Sequence, residues 1–128
     1  MDPGLRDSMF RYYDERAPEY EDAYVLGTGT AWIHDPDVFR REASLLAGIV
    51  DRFARGRMVD LACGTGYWLP FYAARCSCIT LIDQAPRMLG ECRKKVATPG
   101  APGHMTVVQG DVLEHPFRPR TVDSALIG

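Results

Sequence analysis

The chain has 128 residues, of which 46% are hydrophobic and 25% charged, and its formal net charge is −2. This size and composition describe one folded domain, and the slightly acidic balance excludes a general basic surface for nucleic acid or anionic membranes. No apolar run approaches the roughly 20 residues that span a bilayer, and residues 1–7 lack a signal-peptide core, so we expect a cytoplasmic protein without nucleic-acid or membrane partners.

The amino-terminal segment is predicted to contain a short helix over residues 8–16. This helix is interrupted at Pro18, because the residue before a proline avoids the helical conformation. Residues 20–33 contain glycines and are predicted to be irregular. We therefore separate residues 1–34, as an amino-terminal helical segment, from a domain over residues 35–128.

An amphipathic helix is predicted at the start of this domain. Asp35 is placed to cap the helix, and Pro36 suits its first position. Apolar residues then recur at steps of four and three, which predicts one face packed on the core. These residues are Phe39, Ala43, Leu46, Val50 and Phe53. Gly56 suits the end of the helix.

After this helix, short apolar runs alternate with helical patterns. Strands are predicted over residues 58–62, 78–82, 105–108 and 122–127, with helices over residues 68–75 and from Pro86 onward. Met88, Cys92 and Val96 lie on one face of the last helix. This alternation predicts an α/β fold whose parallel sheet is covered on both faces. The carboxyl ends of the strands then share the edge at which open α/β sheets bind ligands.

A glycine-rich turn follows the first predicted strand, in residues 59–66 (VDLACGTG). Glycines at this point let the backbone turn sharply and approach a ligand closely. Asp60 precedes the turn, where a carboxylate can orient the loop amides or accept hydrogen bonds from an ammonium group. The alternative is an ordinary strand-to-helix turn.

Two further carboxylates end the next two strands. Asp83 follows the glycine-rich turn by about 20 residues, a position suited to accept hydrogen bonds from ribose hydroxyls, with a helix cap before Pro86 as the alternative. Asp111 can accept a hydrogen bond from an adenine amine, and the N–H of Val112 can meet a ring nitrogen. Met88 can cover a flat ring with its thioether, with plain core packing as the alternative.

The cysteines and histidines predict neither a metal site nor a general base. The one-residue gap in Cys76-Ser77-Cys78 is not typical of zinc ligands, and we predict that the four cysteines are buried free thiols. The three histidines all lie in predicted loops, where we expect them to be exposed: His34, His104 and His115. The catalytic residues are therefore unknown from the sequence.

Four of these stretches resemble the motifs of class I S-adenosylmethionine-dependent methyltransferases. Residues 59–66 resemble the glycine-rich motif, residues 81–89 the acidic-loop motif, residues 109–112 the adenine-binding motif and residues 122–127 the fourth strand. Residues 12–20 are similar to the segment that precedes the domain in small-molecule members, such as quinone-biosynthesis methyltransferases. Each motif is weak alone, but four in this order make the resemblance strong.

The resemblance implies S-adenosyl-L-methionine as cofactor and a set of residues that bind it. They are Tyr20, Asp60, Ala62, Gly64, Gly66, Asp83, Gln84, Met88, Asp111 and Val112. Many relatives have glycine where Ala62 stands, and we expect alanine to be small enough for binding to survive. The implied fold is a Rossmann-like doubly wound parallel sheet with strand order 3-2-1-4. Residues 1–34 would form a lid, and residues 35–128 a cofactor-binding domain that stops after strand four.

The expected function is methyl transfer from S-adenosylmethionine to a small-molecule acceptor. One alternative is a non-catalytic or truncated module that keeps the cofactor cradle. A less favoured alternative is an NAD-dependent oxidoreductase, whose fingerprint needs a third glycine where Leu69 stands.

The fourth strand is expected to lie at an open edge of the sheet. An exposed apolar edge strand is a template for association. We therefore expect the 128-residue chain alone to be marginally stable, to self-associate through this edge and to show no methyl transfer.

Overall fold

The computed structural model describes residues 2–22, 35–101 and 104–127. Most of the segment predicted to be irregular, together with His34, lies outside the described residues.

Within these described residues, four parallel strands form one sheet in the order β3-β2-β1-β4. The strands are β1 (Gly56–Leu61), β2 (Cys76–Asp83), β3 (Met105–Gln109) and β4 (Ser124–Ile127). The predicted α/β class and the predicted strand order are confirmed. Since the strands are parallel, the residues that follow β1, β2 and β3 meet at one edge of the sheet.

In the described part of the chain, four α-helices accompany the sheet, and each has a proline in its first turn. They are α1 (Pro3–Arg16), α2 (Pro36–Phe53), α3 (Leu69–Tyr72) and α4 (Pro86–Val96). The capping of α2 by Asp35 is confirmed, since its carboxylate accepts the amides of Asp37 and Val38. The helix α1 begins five residues before its predicted start, because Asp2 caps it by accepting the Gly4 amide at 2.9 Å.

Two other predicted helix boundaries differ from the structure, and the predicted strand ends differ by at most two residues. The helix predicted over residues 68–75 is only the single turn of α3 followed by a 3-10 turn, Ala73–Arg75, because the chain enters β2 at Cys76. Gly56 does not end α2 but opens β1 with φ +62°, and a Cβ there would lie 2.6 Å from Oδ2 of Asp123. A glycine is therefore required at this position for both backbone conformation and space.

The core lies between one face of the sheet and helices α2, α3 and α4. Val50, Tyr72 and Leu89 from these helices pack in one cluster with strand residues that include Met58 and Leu81. The opposite face is covered less completely than predicted, since the side chains of Cys78, Ala125 and Ile127 are exposed there. The cysteines are free, and the prediction that all are buried is wrong for Cys78.

The predicted apolar face of α2 is only partly buried. Val50 is buried in the core cluster, whereas Leu46 and Phe53 are more than half exposed. Leu45 and Ile49, which are also exposed, extend the uncovered surface along the helix. The periodicity correctly predicts the helix. However, the other described residues cover only part of its apolar surface. Among those residues, no helix is long and apolar enough to cross a bilayer.

Candidate functional site

A cavity of about 640 Å³ lies at the carboxyl edge of the sheet. Most of the residues predicted to bind a cofactor line it: Tyr20, Ala62, Gly64, Asp83, Gln84, Met88, Asp111 and Val112. Two predicted residues, Asp60 and Gly66, do not line it. The volume is within the range of about 300–1,000 Å³ that is usual for small-molecule sites.

The glycine-rich turn follows β1 in a left-handed backbone conformation. Ala62 and Gly64 both have φ +54°, and Gly66 has φ +74°. For an alanine this conformation costs about 1–2 kcal/mol, so Ala62 is strained where a glycine would not be. Gly66 serves packing, since a Cβ there would lie 2.9 Å from the sulfur of Cys92 on α4.

Asp83 ties the end of β2 to the glycine-rich turn. Its Oδ2 accepts the Gly64 amide at 2.8 Å, and its Oδ1 accepts the Ala85 amide at 2.9 Å. The cap position of α4 is Ala85, so Asp83 is not the residue that caps this helix. Each carboxylate oxygen can accept two hydrogen bonds, so both oxygens keep capacity for a donor from a ligand.

Asp111 is held from two sides. Its Oδ1 accepts the Leu113 amide at 2.9 Å, and its Oδ2 pairs with the guanidinium of Arg6 from α1. Arg6 also lines the cavity, as does Tyr13 further along the helix. Arg6 was not predicted as a site residue, because no local pattern connects residues that lie 105 positions apart.

The amino-terminal segment is anchored at a second point. Glu21 accepts hydrogen bonds from the hydroxyl of Thr65, at 2.7 Å, and from the ammonium of Lys95. Lys95 also donates to the carbonyl of Thr65 at 2.7 Å. This network links the amino-terminal segment, the glycine-rich turn and the end of α4. It fixes the glycine-rich turn, which borders the cavity, against the amino-terminal segment.

Asp60 faces the core rather than the cavity. Its side chain is 1% exposed, its Oδ2 accepts the hydroxyl of Tyr72 at 2.7 Å, and its Oδ1 has no hydrogen-bond partner. Burial raises the pKa of Asp60 to about 6; the hydrogen bond from Tyr72 opposes this shift and the charge of Asp83 adds to it. Tyr72 was not predicted, because its position depends on the fold of α3.

Asp60→Asn is expected to change how stability depends on pH. The pKa of Asp60 in the folded state lies above the ordinary aspartate value of 3.8, so its contribution to stability is complete only below that value and is lost as the pH rises through about 6. Relative to the variant, the wild-type chain should lose about 2 kcal/mol of unfolding free energy between pH 4 and 7. Urea denaturation of both proteins measures this; a difference that is constant with pH would contradict it.

A second cavity, of about 290 Å³, adjoins the first. The two share Tyr20, Ala62 and Gly64, so they meet at the glycine-rich turn. Tyr67 and Trp68, which directly follow the glycine-rich turn, line the second cavity. Further lining residues come from α2: Phe39, Glu42, Ala43 and Leu46. The sequence predicted a place for three of them on the apolar face of the helix, but it predicted none of the four as part of a site.

The described histidines line neither cavity. His104 is exposed and its Nε2 lies 2.9 Å from the carbonyl of Cys76. His115 is only partly exposed, contrary to prediction, because it packs against the ring of Phe117 at 4.6 Å.

Comparison with known families places residues 58–128 in the family described as a methyltransferase domain. The match covers more than half of the chain, and the chain therefore belongs to this family. The predicted class of protein, a class I S-adenosylmethionine-dependent methyltransferase domain, is confirmed. S-adenosylmethionine is the cofactor of this class. No curated protein matches the chain.

Solved structures share the fold at low sequence identity. A DhpI–SAH complex is 23% identical, with a TM-score of 0.67 over 90% of this chain and 49% of its own. The (4+2) cyclase SpnF is 20% identical, with a TM-score of 0.69 over 91% of this chain and 46% of its own. A putative S-adenosylmethionine-dependent methyltransferase from Methanococcus maripaludis is 20% identical, with a TM-score of 0.57 over 92% of this chain and 48% of its own. The chain thus spans about half the length of these structures.

Proposed function

We propose that the larger cavity binds S-adenosylmethionine and that the protein transfers its methyl group to a small-molecule acceptor. The observation that carries this proposal is the convergence of eight predicted residues on one cavity. They come from the amino-terminal segment and from the segments that follow three different strands. Family membership supports the same cofactor.

The cavity offers each part of this cofactor a suitable partner. Asp83 would accept the ribose hydroxyls, with Gln84 beside it, and Asp111 and Val112 would contact adenine. Met88 would lie against the adenine ring. The turn at Ala62 and Gly64 would border the methionine part.

The amino-terminal segment, residues 1–34, would act as a lid over this site. Arg6 and Tyr20 already line the cavity, and Ala17 packs against Ala85 and Met88. When bound, S-adenosylmethionine supplies a methyl group that is already activated by its sulfonium. The protein's part is then to orient the reactants and exclude water.

The backbone that follows the glycine-rich turn does not suit the pyrophosphate of NAD. A pyrophosphate needs free amides at a helix start. Here the amide of Leu69, where the dinucleotide fingerprint needs glycine, already donates to the carbonyl of Gly66 at 3.1 Å. The helix that follows is only the four residues of α3. This geometry disfavours the oxidoreductase alternative.

A non-catalytic cofactor-binding module is the second candidate. SpnF, a cyclase, shares this fold, so the fold alone does not fix methyl transfer. The two candidates are separated by following a labelled methyl group from S-adenosylmethionine into a panel of small amines, phenols and thiols. The assay is made on the 128-residue chain and on the product of its whole reading frame. Label in a small molecule supports the proposed function, whereas cofactor binding without transfer by either protein supports the binding module.

We also propose a cytoplasmic location for the protein. Its free cysteines fit the reducing cytoplasm that the sequence predicts. We also propose that a second copy of the chain binds at the β4 edge, where Ile127 is 75% exposed.

A further inference from the structure

The second cavity is placed where an acceptor would meet the cofactor. It shares Ala62 and Gly64 of the glycine-rich turn with the larger cavity. Under the proposed function, the methionine part of the cofactor borders these two residues. A molecule in the second cavity would therefore lie next to that end of the cofactor, rather than next to adenine.

Four of the eleven residues that line this cavity are aromatic. Tyr67 and Trp68 pack edge to face with centroids 4.9 Å apart, and Phe71 supports both rings at 5.6 and 5.9 Å. Rings held in this way are preorganised and lose little freedom when a ligand binds. Phe39 and Tyr20 add two further rings to the lining.

The charge at this cavity is negative. Glu42 of α2 is part of the lining, and among the described residues it has no ion-pair partner. Burial raises the pKa of Tyr67, and the negative charge of Glu21 raises it further, so the hydroxyl of Tyr67 stays neutral. The nearby cation Lys95 is already paired with Glu21. Aromatic faces and an unpaired carboxylate together favour a positively charged ligand.

We propose that the second cavity binds the methyl acceptor and that this acceptor carries an ammonium group, with the aromatic rings around the cation and Glu42 as its counter-charge. The inference rests on the proposed function, because the larger cavity must hold the cofactor for the second to be the acceptor side. It names the substrate class that the methyltransferase fold leaves open.

Two probes of similar size and opposite charge test the proposal. Binding of 2-phenylethylamine and of 3-phenylpropionate is measured by calorimetry on the chain saturated with S-adenosylhomocysteine. We expect the amine to bind and the carboxylate not to bind. Glu42→Gln should weaken amine binding about fivefold, the upper end for an exposed ion pair, and leave the affinity for S-adenosylhomocysteine unchanged. Asp37→Asn removes an exposed carboxylate elsewhere on α2 and should change neither.

The outcomes separate this inference from the proposed function. Failure of the wild-type chain to bind S-adenosylhomocysteine would overturn the proposed function and the inference with it. Normal cofactor binding without preference for the amine would overturn the inference alone. A Glu42→Gln variant that binds S-adenosylhomocysteine more weakly would assign Glu42 to the cofactor's own amino-acid end, and would also overturn the acceptor assignment.

Discussion

Asp83→Ala is expected to lower the affinity for S-adenosylhomocysteine by at least about 100-fold. Two hydrogen bonds from ribose to a carboxylate are worth about 1.5–3 kcal/mol each, and about 1.4 kcal/mol is a factor of ten. The variant should also lose stability, because the amides of Gly64 and Ala85 lose their acceptor. Calorimetric titration and thermal melting of the same protein measure both effects.

A second variant and a control keep this result interpretable. Asp83→Asn retains one acceptor oxygen and should fold more stably than the alanine variant, but it should still bind the ligand at least about tenfold more weakly. Glu114→Ala removes another carboxylate from the same cavity, to which we assign no ligand contact, and should leave the affinity nearly unchanged. Folded Asp83 variants with wild-type affinity would contradict the ribose role.

The 128-residue chain is expected to associate in solution rather than to remain a 14.3 kDa monomer. Ile127 is 75% exposed on β4, which pairs with β1 on one side and lies at the end of the sheet. A charged residue on an edge strand opposes pairing with a second sheet. Ile127→Lys should therefore shift the mass measured by light scattering toward that of the monomer.

The other edge of the sheet provides the matched control. Thr106→Lys places the same charge at an exposed position of β3 and should leave the association intact. An Ile49→Lys variant tests the uncovered part of α2 in the same way. A wild-type chain that is a monodisperse, cooperatively melting monomer would contradict self-association. If Thr106→Lys alone abolished association, the contact would lie at the β3 edge rather than at the β4 edge that we propose.

Much of the fold could be predicted because its signals are local. Each strand is a short apolar run bounded by turn residues, and the order of parallel strands follows from the family motifs. The start of α2 was predictable from Asp35 and Pro36, since capping depends on adjacent residues. The burial of its apolar face was not, because burial depends on which other elements cover the helix.

Part of the candidate site could also be predicted, because some of its residues belong to local sequence patterns. Asp83 and Asp111 were identified because they lie at the carboxyl ends of predicted strands. Asp60 was selected for its place before the glycine-rich turn, but it points to the core, where Tyr72 holds it. Strand residues alternate between faces, so one position decides between the two environments.

The contacts made by the amino-terminal segment could not be predicted. The pairing of Arg6 with Asp111 and that of Glu21 with Lys95 join distant parts of the chain. No periodicity or motif marks such pairs. The strain at Ala62 was also hidden, because its left-handed backbone is visible only in the structure.

The most direct test of the account is a calorimetric titration of the folded chain with S-adenosylhomocysteine and, separately, with NAD. The arrangement of Asp83, Asp111 and the glycine-rich turn predicts one-to-one binding of S-adenosylhomocysteine and clearly weaker binding of NAD. Tighter binding of NAD, or a folded chain that binds no S-adenosylhomocysteine, would contradict the assignment of this cavity.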